Sequence, residues 1–177
     1  MAALKKGCLQ IYCGDGKGKT TASVGLAVRA AGTGLKVLFC QVMKDGSSGE
    51  VKMLQQLGVT YRCCTEHFGF YWNMNEEQKR AAAKAYTAIF LEAAQKARDE
   101  EYDLLIVDEF MSAYNHGLID QKEALHFLMN RPEHLEIVLT GRDPGEELVE
   151  LADYVTEMRK VKHPFEKGIP ARRGIEM

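Results

Sequence analysis

The sequence predicts a three-layer α/β fold with a mostly parallel central sheet of about six strands. Three observations carry this expectation. Short apolar runs alternate with stretches of helical periodicity along the chain. Several of the runs are unbroken, as in Leu-Leu-Ile-Val at 104–107, which suits strands covered on both faces. The chain of 177 residues, 46% hydrophobic and 27% charged, has enough apolar material for one ordinary core. A single domain over 1–177 is expected, since no repeat, low-complexity segment or Pro/Gly/Ser-rich linker interrupts the pattern.

Taken in order, the strand-like runs are 8–13, 37–42, 59–64, 104–107, 135–140 and 154–158, and the helical ones are 19–31, 50–57, 75–101, 120–130 and 145–152. The longest helix is the best marked. Asn75 stands as its N-cap with Glu76, Glu77 and Gln78 in the first turn. Ala82, Tyr86, Ile89, Phe90, Ala93 and Ala97 then recur at three- and four-residue spacing, the pattern of a core-facing stripe.

Charge and cysteine usage narrow the function classes. Lys plus Arg is 23 against 25 for Asp plus Glu, a net charge of −2, so bulk attraction to nucleic acid is not expected. Nowhere do eighteen apolar residues run together, and no leader-length apolar segment precedes the first strand, so a cytoplasmic protein without membrane contact is expected. Cysteines at 8, 13, 40, 63 and 64 form no C-x-x-C pair. They read as small buried hydrophobes in a reducing compartment. His67, His116, His126 and His134 have no metal-site spacing.

The strongest chemical signal is Gly14-Asp15-Gly16-Lys17-Gly18-Lys19-Thr20-Thr21, between the first strand and the first helix. Phosphate binding needs small residues that let backbone N–H groups turn onto an anion, a helix N-terminus, and a lysine to neutralise the outer charge. Lys19 is the phosphate lysine, and the Thr20 hydroxyl is placed to ligate Mg²⁺. The usual spacing G-x-x-x-x-G-K-[ST] puts Cys13 where the first glycine should stand, so the loop reads as one residue tighter. This makes the expected fold a phosphate-loop, RecA-like one. A second signal is Leu104-Leu-Ile-Val-Asp108-Glu109, an apolar strand whose acidic end is expected to face the metal, with Asp108 and Glu109 as magnesium contacts.

These two motifs establish nucleotide binding and leave its use open among kinases, ATPases and other transferases. The segment Thr65-Glu-His-Phe-Gly-Phe-Tyr-Trp-Asn73 carries four aromatics and the single tryptophan. Such a loop is either a platform for a flat, largely apolar ligand or a flap folded onto the core. Thr140-Gly-Arg142 follows the fifth strand, and the basic stretch from Arg159 reads as a solvated tail or a lid.

With these motifs in order, the sequence resembles the ATP:corrinoid adenosyltransferases of the CobA/CobO/BtuR type, from Cys8 to Met177. The likeness rests on GDGKGKTT at 14–21, GFYW at 69–72, VDE at 107–109, TGR at 140–142 and the tail from Leu151. It implies transfer of the 5′-deoxyadenosyl group of ATP to cob(I) of a corrinoid, cobalamin or cobinamide, with release of triphosphate. It also implies ATP and Mg²⁺ as cofactors, an electron donor such as a reduced flavin protein, and a homodimer.

By the same resemblance Gly14 to Thr21 cradle the triphosphate, Lys19 is its charge partner, and Arg142 contacts the nucleotide. Thr20 and Glu109 hold magnesium with support from Asp108, and Lys19, Thr20 and Glu109 form the catalytic set. Phe70 and Trp72 pack beneath the corrin ring, displace its lower axial ligand and so ease reduction of cob(II). Asp15 stands where relatives carry asparagine, which places a carboxylate beside bound phosphate. The resemblance further implies that a segment covering the active site in longer relatives is short here, Gly7 being only the seventh residue. The competing readings are an ATPase or nucleoside kinase built on the same loop, and a non-catalytic corrinoid carrier.

Overall fold

In the computed structural model, which describes residues 4–176, the chain runs β1 (Leu9–Cys13), α1 (Lys19–Gly32), β2 (Val37–Gln41), α2 (Val51–Gln56), β3 (Thr60–Cys63), α3 (Glu76–Asp99), β4 (Leu104–Asp108), α4 (Phe110–Asn115), α5 (Gln121–Met129), β5 (Glu136–Thr140), α6 (Glu146–Leu151) and β6 (Tyr154–Glu157). Residues 1–3 and Met177, included in the expected domain, lie outside the described residues. Each expected strand and helix is present within one or two residues of its predicted ends. Three short elements were not expected: the helix α4 and the 3-10 turns Tyr71–Asn73 and Pro164–Lys167.

The six strands form one sheet in the order β3-β2-β4-β5-β1-β6, and every adjacent pair is parallel. Alternation along the strands divides the core in two. Leu104 and Ile106 of β4 join Phe39, Val138 and the α1 residues Ala27 and Ala30 on one face, with Leu54 of α2. Leu105 and Val107 join Leu38, Ile137 and Leu139 on the other face, under Ala82, Tyr86, Phe90, Ala93 and Ala97 of α3. The predicted stripe of α3 is thus its buried face, with Ile89 packed at its margin. Asn75 Oδ1 accepts from the Gln78 N–H at 2.8 Å while Gln78 Oε1 accepts from the Asn75 N–H at 2.9 Å, a closed capping box.

Parallel strands bring their C-terminal ends to one edge of the sheet, where ligand sites of such folds lie. Here that edge collects the ends of β1, β4 and β5, and therefore the glycine-rich loop, Asp108 and Thr140. All five cysteines are free thiols; Cys13, Cys40 and Cys64 are buried, while Cys8 and Cys63 are half-buried. Burial pushes the Cys40 thiol up to about 12, helped by the neighbouring Cys63.

Candidate active site

The glycine-rich loop leaves β1 at Gly14 and enters α1 through Gly18, whose φ of 121° lies outside the range that a side chain tolerates well. On its outer side the loop is clasped by the segment that follows β6. The Gly16 N–H donates to Met158 O at 2.6 Å, and the Met158 N–H donates to Cys13 O at 2.8 Å. A Cβ at Gly16 would stand 2.5 Å from Met158 O, so this approach requires glycine. Asp15 takes part in the same clasp. Its Oδ1 accepts the Lys160 N–H at 2.9 Å, and that hydrogen bond holds the exposed carboxyl below its usual range. The Asp15 carboxylate is thus engaged with the tail backbone, a partner that the sequence did not reveal.

Lys19 Nζ donates to Gly14 O at 2.7 Å and to Gly16 O at 2.8 Å, so its ammonium lies across the loop's carbonyls. Desolvation, then the positive charge of Arg142, lower its pKa, opposed by Glu109 and Asp15. Arg142 itself is exposed, after Gly141 at the end of β5, and its charge also acts on Asp15 and Glu109. The structure therefore gathers Gly14 to Thr21, Asp108, Glu109 and Arg142 at one edge.

Asp108 is completely buried and is the hub of that edge. Its Oδ1 accepts from Thr20 Oγ1 at 2.9 Å and from Thr140 Oγ1 at 2.7 Å. Its Oδ2 accepts from Gln41 Nε2 and from Lys44 Nζ, each at 3.0 Å. A buried carboxylate costs free energy unless charge and hydrogen bonds compensate it, and four donors do so here. Gln41, Lys44 and Thr140 had no predicted role. A hydroxyl, an amide and an ammonium at the ends of β2 and β5, the two neighbours of β4, were the signal available.

Glu109 is the turning point between β4 and α4. Its φ of 62° is left-handed, rare for a side chain of this size, and the Thr140 hydroxyl accepts its N–H at 3.0 Å. Desolvation, then the adjacent Asp108, raise its carboxyl pKa, opposed by Lys44, Lys19 and Arg142. Thr20, Asp108 and Glu109 offer the hard oxygen donors that Mg²⁺ prefers. Mg²⁺ takes few protein ligands when phosphate oxygens and water complete its shell.

The aromatic segment divides its side chains between the two expected roles. Phe68 packs edge-on against Tyr86 of α3, ring centroids 5.5 Å apart, and half-buried Tyr71 lies 4.2 Å from the His116 ring. These two anchor the loop. Phe70 and Trp72 instead project outward, 75% and 78% exposed. Both line a cavity of about 800 Å³, and so do Lys44, Glu109, Ser112 and His116. Its size suits a large organic ligand. Glu109 is thus shared between the phosphate-loop edge and the aromatic cavity, which makes the two halves of the site contiguous.

A profile of the family described as ATP:corrinoid adenosyltransferase BtuR/CobO/CobP matches residues 5–177. The corrinoid adenosyltransferase of Pseudomonas aeruginosa is 37% identical over 97% of this chain and 84% of its own length. That of Escherichia coli K12 is 35% identical over 97% and 86%. The corrinoid adenosyltransferase CobA of Salmonella typhimurium is 33% identical over the same shares. Among solved structures, the ATPase domains of EssC from Geobacillus thermodenitrificans superpose with a TM-score of 0.50 at 13% identity, covering 97% of this chain and 36% of that one. That likeness concerns the fold alone. A full-length family match and relatives above 30% identity settle the assignment: the chain belongs to the ATP:corrinoid adenosyltransferase family.

Proposed function

We propose that this enzyme joins the 5′-carbon of ATP to the cobalt of a reduced corrinoid, and that the junction lies where Glu109 meets the aromatic cavity. The observation that carries the reading is the place of Glu109: it lines the aromatic cavity of about 800 Å³, and the charge of Lys19 in the glycine-rich loop acts on its carboxyl. The exposed rings of Phe70 and Trp72 beside this edge offer a flat, largely apolar ligand a second binding surface, which supports the transferase reading over an ATPase or nucleoside kinase.

In the reaction cob(I) contributes an electron pair to C5′. The cobalt–carbon bond forms as the C5′–O bond breaks, the pair from that bond leaves with triphosphate, and cobalt is formally oxidised by two electrons. The nucleophile belongs to the substrate, so the protein needs no side-chain base. Its work is alignment and stabilisation of leaving-group charge. Gly14 to Thr21 hold the triphosphate, with the Lys19 ammonium moving from the loop carbonyls to phosphate oxygen. Arg142 adds positive charge at the same edge. Thr20 and Glu109, supported by Asp108, hold Mg²⁺, which when bound supplies positive charge to the leaving triphosphate. Phe70 and Trp72 lie against the corrin face, where they exclude the lower axial ligand and so ease one-electron reduction of cob(II) by a donor such as a reduced flavin protein.

Two further parts of the reading concern setting and assembly. A homodimer is supported by the exposed apolar side chains Tyr154, Val155, Val161 and Phe165 along β6 and the tail. A cytoplasmic setting is supported by the free thiols. No helix among the described residues is long and apolar enough to cross a membrane.

Incubation with ATP, Mg²⁺ and chemically reduced cobalamin tests the proposal. The expected result is a cobalt–carbon absorption spectrum with equimolar triphosphate. Formation of ADP and phosphate without spectral change would support the kinase or ATPase reading instead.

A further inference from the structure

The platform residues Phe70 and Trp72 sit on a short loop, and a loop holds a position only as well as its supports do. One support comes from an unexpected element. Helix α4 begins directly after Glu109 and is followed by its C-cap His116, so its two flanks touch the two halves of the site. Phe110, Met111, Ala113 and Tyr114 are buried, which fixes the helix against the sheet.

At its C-terminal end the His116 imidazole meets Tyr71 at 4.2 Å between ring centroids and Trp72 at 5.1 Å, the latter edge-to-face at 84°. His116 Nδ1 lies 2.7 Å from Ser112 O, one turn earlier in the same helix. A carbonyl only accepts, so Nδ1 carries the proton and the ring is held in one orientation. Lys79 Nζ stands 5.0 Å from the Tyr71 ring, so Tyr71 has contacts from α3 as well as from His116.

We propose that His116 is a positioning residue for the corrinoid platform: its imidazole, locked to the Ser112 carbonyl, props Tyr71 and Trp72 at a fixed height relative to Glu109. This rests on the transferase reading above and deepens it. The imidazole acts through the aromatics and takes no part in bond making. Its contribution is therefore largest at the step that depends most on the platform, the exclusion of the axial ligand before cob(II) is reduced.

The test uses the full chain, with cobalamin supplied either as cob(II) with a flavin reductant or as cob(I) already reduced. His116→Ala is expected to lower kcat from cob(II) about tenfold, leave KM for ATP unchanged, and lower the cob(I) rate by a clearly smaller factor, so that the ratio of cob(II) to cob(I) rates falls. Trp72 is the only tryptophan, so the time-resolved decay of its fluorescence anisotropy separates local motion from overall tumbling and from lifetime, and the slow component should lose amplitude in the same variant. His116→Gln keeps a donor without the ring and should behave as the alanine variant does. His116→Phe keeps the ring contacts and should recover more than half of both losses. An unchanged ratio of cob(II) to cob(I) rates in His116→Ala or His116→Gln, or failure of His116→Phe to recover either readout, would overturn the proposal. The transferase reading fails separately, if the unaltered enzyme makes no cobalt–carbon bond from cob(I).

Discussion

The Thr20 hydroxyl donates to Oδ1 of Asp108 across 2.9 Å, tying the start of α1 to the end of β4 past the intervening strand β5. Thr140, at the end of β5, completes the tie: its hydroxyl donates to the same oxygen at 2.7 Å and accepts the Glu109 N–H. Thr140→Val keeps the shape and removes both bonds. The expected loss is about 1–3 kcal/mol of folding stability, with weaker binding of ATP and magnesium as Glu109 loses its backbone anchor. Urea denaturation and a binding titration measure the two effects, and unchanged values for both would remove Thr140 from the account.

Lys19 gives a sharper separation of binding from folding. In the free enzyme its ammonium satisfies the Gly14 and Gly16 carbonyls, which water reaches once the side chain is cut back. Lys19→Ala should therefore melt near the unaltered protein. It should lose about 1.5–3 kcal/mol of ATP affinity, roughly 10- to 150-fold. Full affinity in a calorimetric titration would contradict the assignment of the loop.

Asp15 is expected to set a negative charge beside phosphate, and its hydrogen bond to the Lys160 N–H adds a second task, holding the tail to the loop. An asparagine oxygen can accept the same bond, whereas alanine cannot. The prediction is that Asp15→Asn retains KM for ATP or lowers it, while Asp15→Ala raises it as the clasp between loop and tail loosens. A steady-state comparison decides, and equal effects from both substitutions would show that charge alone matters.

Cys40 supplies a pH test that does not involve the active site. Burial raises its pKa from about 9 in the unfolded chain to about 12 in the folded one, so the folded state binds the proton more tightly. Its contribution to stability is complete below pH 9 and is lost as pH rises toward 12. Denaturation at pH 8 and pH 10.5 should show the decline, and Cys40→Ser should flatten that part of it. In native protein at pH 8, mass mapping after iodoacetamide should find Cys40 alkylated after half-buried Cys63. Labelling of Cys40 first would refute its burial.

The fold was legible because strand runs such as Leu-Leu-Ile-Val and the stripe of α3 depend on local periodicity, which the sequence displays directly. The glycine-rich loop and the pair Asp108-Glu109 stood out for a related reason: each is a run of adjacent residues, and the structure brings the two runs to one edge. Helix α4 was not. It is six residues long, mostly buried, and starts from a left-handed Glu109 instead of a capping side chain, so neither periodicity nor a cap marks it. With α4 unseen, His116 could not be placed beside the aromatic loop. Gln41 and Lys44 escaped because their meeting with Asp108 depends on β2 lying next to β4, a matter of strand order. Met158 and Lys160 escaped likewise, since they reach the loop only because β6 lies beside β1.

The central claim is that the sugar carbon of ATP, and not its terminal phosphorus, meets the nucleophile. ATP labelled with carbon-13 at C5′ tests it directly in a single turnover with cob(I)alamin. The labelled resonance is expected to move from an oxygen-bonded to a cobalt-bonded methylene while phosphorus spectra show triphosphate. A label that stays on oxygen, with ADP or AMP as the product, would contradict it.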